Sequence, residues 1–421
     1  MSKLIIRGGN PLSGTVKISG AKNSAVCVIA AALLCKGTTV LENVPRISDV
    51  LILLSIMEKL GVQVKWESED SVAITTPDHI KYSALFPEVS SLRASNLLLG
   101  SLLGRKGNAE VALPGGCDLG ARPMDLHIKG FTQLGAEVET VGNSYIRAEA
   151  PARGLTGDEI YLDFPSVGAT ENIMMAASVA KGRTVLANVA KEPEIVDLAN
   201  FLRSAGAKIS GAGTDVIRID GVKELKGCIH SIIPDRIEAG TYMAVAAVTG
   251  CQLKLENVIS AHLKPVVAKM NEAGVAVHST GSNMYVTGPR RLRSVDVRTL
   301  AHPGFPTDMQ PQFMAIASLA NGISTITENI FEKRMKAAAE LKKMGADITI
   351  NGNVASVKGV VKLHGANVEA HDLRAGAALV AAALAAEGET VVDKLEIIDR
   401  GYYRMTEKLQ NIGCDIKRVD D

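Results

Sequence analysis

Chemistry concentrates first in the stretch Leu113-Pro114-Gly115-Gly116-Cys117-Asp118-Leu119-Gly120-Ala121-Arg122-Pro123-Met124-Asp125-Leu126-His127. Its three glycines let a loop bend sharply and come close to a ligand. Cys117 sits at the tip beside an aspartate, and Arg122-Pro123 reads as the opening of a helix, because proline favours the first helical position. Backbone amides at a helix start attract anions, and an arginine there adds a fork that matches phosphate or carboxylate. A thiol between glycines and near cations is expected to have a lowered pKa and to be reactive. A glycine-rich surface turn with an incidental cysteine is the alternative at this point. His127 fits a structural histidine as well as a ligand.

The elements that must position these residues come from a repeat. Six segments each carry a small-residue apolar run ending in glycine (Gly37, Gly107, Gly182, Gly250, Gly322, Gly388), then a strand, then an amphipathic helix ending in a second glycine (Gly61, Gly135, Gly206, Gly274, Gly345, Gly413). The second glycines suit helix C-caps and lie 74, 71, 68, 71 and 68 residues apart. Each repeat of about 70 residues therefore reads as βαβαββ. The first helix of each repeat, such as Ser24–Leu34 or Ala375–Leu384, is apolar nearly all round and is expected to be buried. The second, such as Ser48–Leu60 or Phe331–Met344, mixes charge with apolar residues and belongs nearer solvent.

Counting back 14 residues from each first glycine gives Asn23, Arg93, Gly168, Arg236, Asp308 and Arg374, with Lys22 and Asp372 close by. Counting back 13 from each second glycine gives Ser48, Arg122, Pro193, Ala261, Glu332 and Arg400. All are expected at helix starts. A carboxylate there can simply be a cap; an arginine opposes the helix dipole, so its recurrence points to bound anions. The distance between the two glycines is 23 to 25 residues in five repeats and 28 in the second, where the excess falls at Pro114–Gly120. An insertion that the scaffold does not need is a place for function, which strengthens the reading of Cys117. Cys27, inside an apolar helix, reads as packing.

The 421 residues exceed one ordinary core, so two or three domains are expected. Hydrophobic residues make up 47% and aromatic ones 4%, a globular interior of aliphatic side chains and alanine. A net charge of +1 gives no support for a nucleic-acid surface. Six cysteines without a Cys-x-x-Cys pair fit reduced thiols in the cytoplasm rather than a disulfide framework or zinc site. The N-terminus lacks the pattern of a signal peptide, and the apolar runs of about 12 residues fall short of a membrane span. No phosphate-binding or dinucleotide glycine motif and no metal-ligand spacing occurs, so no cofactor and no metal are expected.

The six-repeat layout resembles that of the enolpyruvyl transferases over essentially the whole chain. The resemblance rests on Gly20-Ala21-Lys22-Asn23, the Leu113–Pro123 stretch, Pro165-Ser166-Val167-Gly168-Ala169-Thr170-Glu171-Asn172, His302-Pro303-Gly304-Phe305-Pro306-Thr307-Asp308-Met309-Gln310, Asp372-Leu373-Arg374-Ala375 and Ile398-Asp399-Arg400-Gly401-Tyr402. It implies an α/β fold of two inside-out barrel domains of three repeats each, one over residues 22–231 and one over 1–21 with 232–421, with the site in the cleft between them. It implies a cytoplasmic enzyme of peptidoglycan synthesis, one that can act as a monomer and is not inserted in a membrane. Its substrates would be phosphoenolpyruvate and UDP-N-acetylglucosamine, the enolpyruvyl group passing to the 3-hydroxyl of the sugar with release of phosphate.

That reaction needs an acid to protonate the methylene carbon, a base for the hydroxyl, and cations for one phosphate and one carboxylate. In the resembling pattern Asp308 is the base and Cys117 a candidate acid that also affects product release. The retained thiol implies sensitivity to an alkylating epoxide phosphonate. Lys22, Arg122 and Arg400 would hold the phosphate, Arg93, Arg374 and Arg400 the phosphoenolpyruvate end, and Asp372 would assist proton transfer or order the arginines. Asn23 would contact the sugar nucleotide; Arg122, Pro123, Met124, Asp125 and Leu126, with Ser166, Val167 and Gly168, would bind its UDP part, and Ile330 belongs to the same set. Some relatives have lysine where this chain has Phe164, which puts a phosphate contact from that position in doubt. The alternatives are a transferase of the 5-enolpyruvylshikimate-3-phosphate synthase kind and a repeat-built scaffold that binds an anionic ligand without turnover. The Cys117 loop and the Asn23 context oppose the first, and Asp308 with Cys117 opposes the second.

Overall fold

The computed structural model of the chain describes residues 2–113 and 123–420. It is a mixed α/β fold that divides by its contacts into two units. The central unit takes residues 20–113 and 123–233; the terminal unit takes 2–19 and 234–420.

The third repeat shows the pattern without interruption. Glu159–Tyr161, the helix Val167–Ala177, Arg183–Ala187, the helix Pro193–Ser204, Lys208–Ser210 and Val216–Asp220 follow one another. The first two strands pair parallel; Val216–Asp220 then pairs antiparallel with both Arg183–Ala187 and Lys208–Ser210. A parallel pair needs a long crossover, and the buried helix supplies it. In Val216–Asp220 the alternate residues Ile217 and Ile219 are buried while Arg218 between them is exposed, as expected of a sheet with one covered face.

Among the described residues the strands form six sheets, and three of them draw a strand from elsewhere in the chain. In the central unit, Leu225–Lys226 and Ile229–Ser231 lie parallel to Cys35–Glu42 of the first repeat. In the terminal unit, Ser13–Lys17 lies parallel to Gln252–Glu256 of the fourth repeat. Lys3–Arg7 runs antiparallel between Glu389–Asp393 and Asp415–Val419, with Lys3 opposite both Asp393 and Val419.

The buried helices are α1 (Lys22–Ala32), α2 (Leu98–Lys106), α3 (Val167–Ala177), α4 (Arg236–Thr249), α5 (Gln310–Ser318) and α6 (Leu373–Ala385). Short 3-10 turns, Arg93–Leu97 and Thr307–Met309, precede α2 and α5. Hence Asn23, Arg93, Gly168, Arg236, Asp308 and Arg374 all fall in the first turn of a helix or in the turn leading into it. The helices α4, α5 and α6 pack on one another within the terminal unit, as α2 does on α3 in the central one. Small residues allow the approach: a Cβ at Gly100 would lie 2.3 Å from the backbone oxygen of Asn172.

The outer helices follow the expected pattern less closely. Ser48–Leu60 forms as one helix and ends at Gly61 with φ 103°. In the fifth repeat the helix is shorter, a 3-10 turn Arg334–Lys336 followed by Ala337–Lys343. In the sixth, Arg400 does not begin a helix but lies in the turn between Leu395–Ile398 and Met405–Asn411. The reason is local: Arg404 takes a left-handed conformation with φ 52°, which no α-helix passes through. No helix among the described residues is long and apolar enough to cross a membrane.

Candidate functional site

In the terminal unit the chemistry gathers on Asp308. Its turn follows Pro306, and Thr307 Oγ1 donates to Glu328 at 2.9 Å. The same carboxylate accepts from Thr299 Oγ1 (2.9 Å), Ile330 N (2.8 Å) and Phe331 N (3.1 Å). Buried Glu328 thus ties the Asp308 turn to the turn bearing Ile330. The two oxygens of Asp308 face two different arginines. Oδ1 lies 2.9 Å from Arg334 Nη1. Oδ2 accepts from Arg374 Nε at 3.2 Å and lies 3.1 Å from its Nη2. Both guanidiniums are buried, at 2% and 3% exposure. Burying the two cations is tolerable because both face the partly exposed Asp308 carboxylate.

Arg374 stands at the positive end of α6, where a cation is unfavourable. Asp372 offsets this as the N-cap, its Oδ1 accepting from Arg374 N (2.8 Å) and Ala375 N (3.0 Å). Its other oxygen, Oδ2, is buried without a hydrogen-bond partner among the described residues. Arg400 is half-buried in its turn.

In the central unit Lys22 and Asn23 open α1, whose N-cap, Ala21, offers no side-chain cap. Lys22 Nζ pairs at 2.8 Å with the buried carboxylate of Asp49, in the first turn of Ser48–Leu60. Arg93 begins the turn before α2 and acts electrostatically on His127. His127 is buried, and Asn172 decides its proton. Asn172 Oδ1 accepts from Gly100 N at 2.8 Å, so its nitrogen is the group that reaches Asn96 O (3.1 Å) and His127 Nδ1 (2.9 Å). An amide nitrogen can only donate, so the network assigns His127 Nδ1 as acceptor and puts the ring proton on Nε2. Burial, with the Arg93 charge adding to it, pushes the imidazole down to about 3. It is therefore a neutral donor at physiological pH. A Cβ at Gly168 would stand 3.5 Å from Nε2. Ser166 caps α3 by accepting from Ala169 N at 3.3 Å, and Phe164 is 52% exposed.

A second group of buried polar side chains in the central unit is acidic. Burial raises the Glu171 carboxyl to about 8; a Cys27 hydrogen bond draws it part of the way back, while Glu194 and Glu192 raise it further. The Cys27 thiol is itself held well above its usual value, by burial first and Glu171 second. Asp197 beside them accepts from the hydroxyl of Ser24 and lies 3.0 Å from His230 Nε2.

Residues 6–409 match the family described as EPSP synthase (3-phosphoshikimate 1-carboxyvinyltransferase). The chain is similar to UDP-N-acetylglucosamine 1-carboxyvinyltransferase 1 of Carboxydothermus hydrogenoformans, with 51% identity over 422 residues, 100% of this chain and 99% of that protein. The chain belongs to the carboxyvinyl (enolpyruvyl) transferase family. Its similarity to UDP-N-acetylglucosamine 1-carboxyvinyltransferase 1 of Halalkalibacterium halodurans is 50% over 420 residues, covering 100% and 95% of the two proteins. Among solved structures, the enolpyruvyl transferase NikO from Streptomyces tendae superposes with a TM-score of 0.90 at 26% identity and 99% coverage of both chains.

Within this carboxyvinyl transferase, the structure brings Asp308, Arg374 and the Asp372 cap together, and places Ile330 one hydrogen-bonded turn away. It places Lys22 and Asn23 at one helix start, Pro123 to Leu126 at the start of Asp125–Gln133, and Ser166 to Gly168 at another. Cys117 and Arg122 lie outside the described residues. Sequence reasoning missed Arg334, Asp49, Glu328 and Asn172. Arg334 sits in Glu332-Lys333-Arg334-Met335-Lys336, which reads as a solvated run, and nothing in it signals burial. Asn172 carried a signal: a polar pair, Glu171-Asn172, inside an otherwise apolar helix.

Proposed function

We propose that the chain transfers the enolpyruvyl group of phosphoenolpyruvate to the 3-hydroxyl of UDP-N-acetylglucosamine and releases phosphate, the first committed step of peptidoglycan synthesis. The observation that carries this reading is the full-length identity of 50–51% with UDP-N-acetylglucosamine 1-carboxyvinyltransferases. The proposed architecture is two inside-out barrel domains of three repeats each, over residues 22–231 and over 1–21 with 232–421, acting as a cytoplasmic monomer.

The chemistry follows from the groups. Protonation of the methylene carbon makes the substituted carbon cation-like; the sugar hydroxyl adds to it, and the tetrahedral intermediate then loses phosphate and a proton. Asp308 takes the hydroxyl proton, and Cys117 is the candidate acid. Lys22, Arg122 and Arg400 hold the phosphate, and Arg93 and Arg374 stabilise charge at the phosphoenolpyruvate end. Asp372 orders Arg374 from below. Asn23, Ile330, the residues from Arg122 to Leu126, and Ser166 to Gly168 bind the sugar nucleotide, the UDP part falling to the last two groups. The ion pairs at Asp308 and at Lys22 support this reading, because both hold their charges ready before substrate arrives.

Phosphate release from phosphoenolpyruvate tests it, with UDP-N-acetylglucosamine and with shikimate-3-phosphate in parallel. Release only with the sugar nucleotide, lost in Cys117→Ser, is the expected result. Release with shikimate-3-phosphate alone would transfer the protein to the other acceptor class, and none with either would leave a binding scaffold.

A further inference from the structure

Arg374 reaches Asp308 with one edge of its guanidinium, whose central carbon lies over the ring of Tyr402, 5.4 Å from the ring centre. Tyr402 is buried, and its hydroxyl is fixed from two helices. Thr241 on α4 donates its only hydroxyl proton to Ile237 O at 2.9 Å. At the 2.9 Å contact between Thr241 Oγ1 and Tyr402 OH, the tyrosine is therefore the donor. Gln312 on α5 donates from Nε2 to Thr241 Oγ1 (3.1 Å) and to Tyr402 OH (3.4 Å). The phenol oxygen is thus held by α4 and α5 while its ring supports a cation on α6. Tyr402 also closes the turn that carries Arg400: its backbone N donates to Ile398 O at 3.1 Å, as does that of Gly401.

We infer that Tyr402, locked by Thr241 and Gln312, is the positioning residue that sets the guanidinium of Arg374 and the turn of Arg400 for the carboxyvinyl donor. The inference rests on the proposed reaction and deepens it. A phenol beside a guanidinium gives a cation–π contact that is strong when desolvated, and Arg374 Nη1 is buried without a hydrogen-bond partner among the described residues, a donor that an anion could take. Without the hydroxyl anchor the ring can rock in its slot and carry Arg374 with it. A shift of that kind, well under the size of a side chain, is enough to slow chemistry.

The test uses Tyr402→Phe, Tyr402→Leu, Thr241→Val and Gln312→Leu, with the KM of each substrate measured separately. Tyr402→Phe is expected to raise the KM for phosphoenolpyruvate about fivefold to tenfold while that for the sugar nucleotide stays within about twofold, and Tyr402→Leu is expected to do more. Thr241→Val should reproduce Tyr402→Phe, and the double variant should be no worse than either single one, since both remove one link. Calorimetric titration with phosphoenolpyruvate reads the same weakening without turnover, and thermal unfolding checks each fold. An unchanged KM for phosphoenolpyruvate in folded Tyr402→Phe and Thr241→Val would overturn the inference. So would an equal loss for both substrates, which marks a merely structural residue. Failure of the parent protein to release phosphate is a separate result and bears on the reaction itself.

Discussion

Two clusters of charged side chains, one in each unit, are handled in opposite ways. In the terminal unit partly exposed Asp308 is met by the buried Arg334 and Arg374, so the charges remain and the carboxylate offsets one of the two cations. In the central unit Glu171 on α3 and Glu194 and Asp197 on the helix Pro193–Ser204 are buried, and burial drives Glu171 toward its neutral form. A site that must meet anionic substrates keeps its ions ready. A site that only holds helices together can give up its charge to a proton.

The largest effect expected from breaking this contrast is at Asp308. Asp308→Asn removes both the base and the counter-charge of two buried arginines, and turnover should fall by about 10²–10⁴-fold in a phosphate-release assay. Arg334→Met leaves one oxygen of the carboxylate still paired with Arg374; denaturant unfolding should show a loss of about 1–3 kcal/mol, and a loss below about 0.5 kcal/mol would mean that the pair is solvated in practice.

The acidic cluster gives the complementary test. The folded value of Glu171, about 8, lies above that of an unfolded glutamate. The folded state therefore holds a proton that the unfolded state has released, and stability falls as pH rises between the unfolded value and about 8. The slope from this one group approaches about 1.4 kcal/mol per pH unit. Glu171→Gln, which keeps the neutral shape, should flatten stability against pH in that window; an unaltered slope would remove Glu171 from the account. Asn172→Leu should cost about 1–3 kcal/mol by stranding Gly100 N, and should let the His127 tautomer vary. The smallest effect belongs to Phe164→Lys, which restores a cation at an exposed position and should change the KM for the sugar nucleotide within about threefold.

How far the sequence reached can be seen at individual residues. The helix starts at Asn23, Arg236 and Arg374 were legible because the repeat supplies its own alignment, and a glycine such as Gly61 marks a helix end by conformational need. Burial of Arg334 was not legible, because a charged run looks the same whether it faces water or a carboxylate on another element. Arg400 was placed at a helix start by counting alone, and the left-handed Arg404 shows that one backbone conformation can override a period. The exchanged strands Lys3–Arg7, Ser13–Lys17 and Ile229–Ser231 carry ordinary strand patterns. Pairing partners that distant are set by tertiary closure, which no local window records.

The sheet that holds Lys3–Arg7 has a consequence for biogenesis. Its neighbours, Glu389–Asp393 and Asp415–Val419, leave the ribosome roughly 400 residues after it. At about 5–20 residues per second, the first strand waits roughly 20–80 s for its partners. During that time the central unit, closed by Ile229–Ser231, already has every strand it needs to fold. Translation thus leaves Lys3–Arg7 without its sheet neighbours while the middle matures, and a released fragment that stops at residue 233 should show a protease-resistant core and a cleavable Lys3–Arg7 segment.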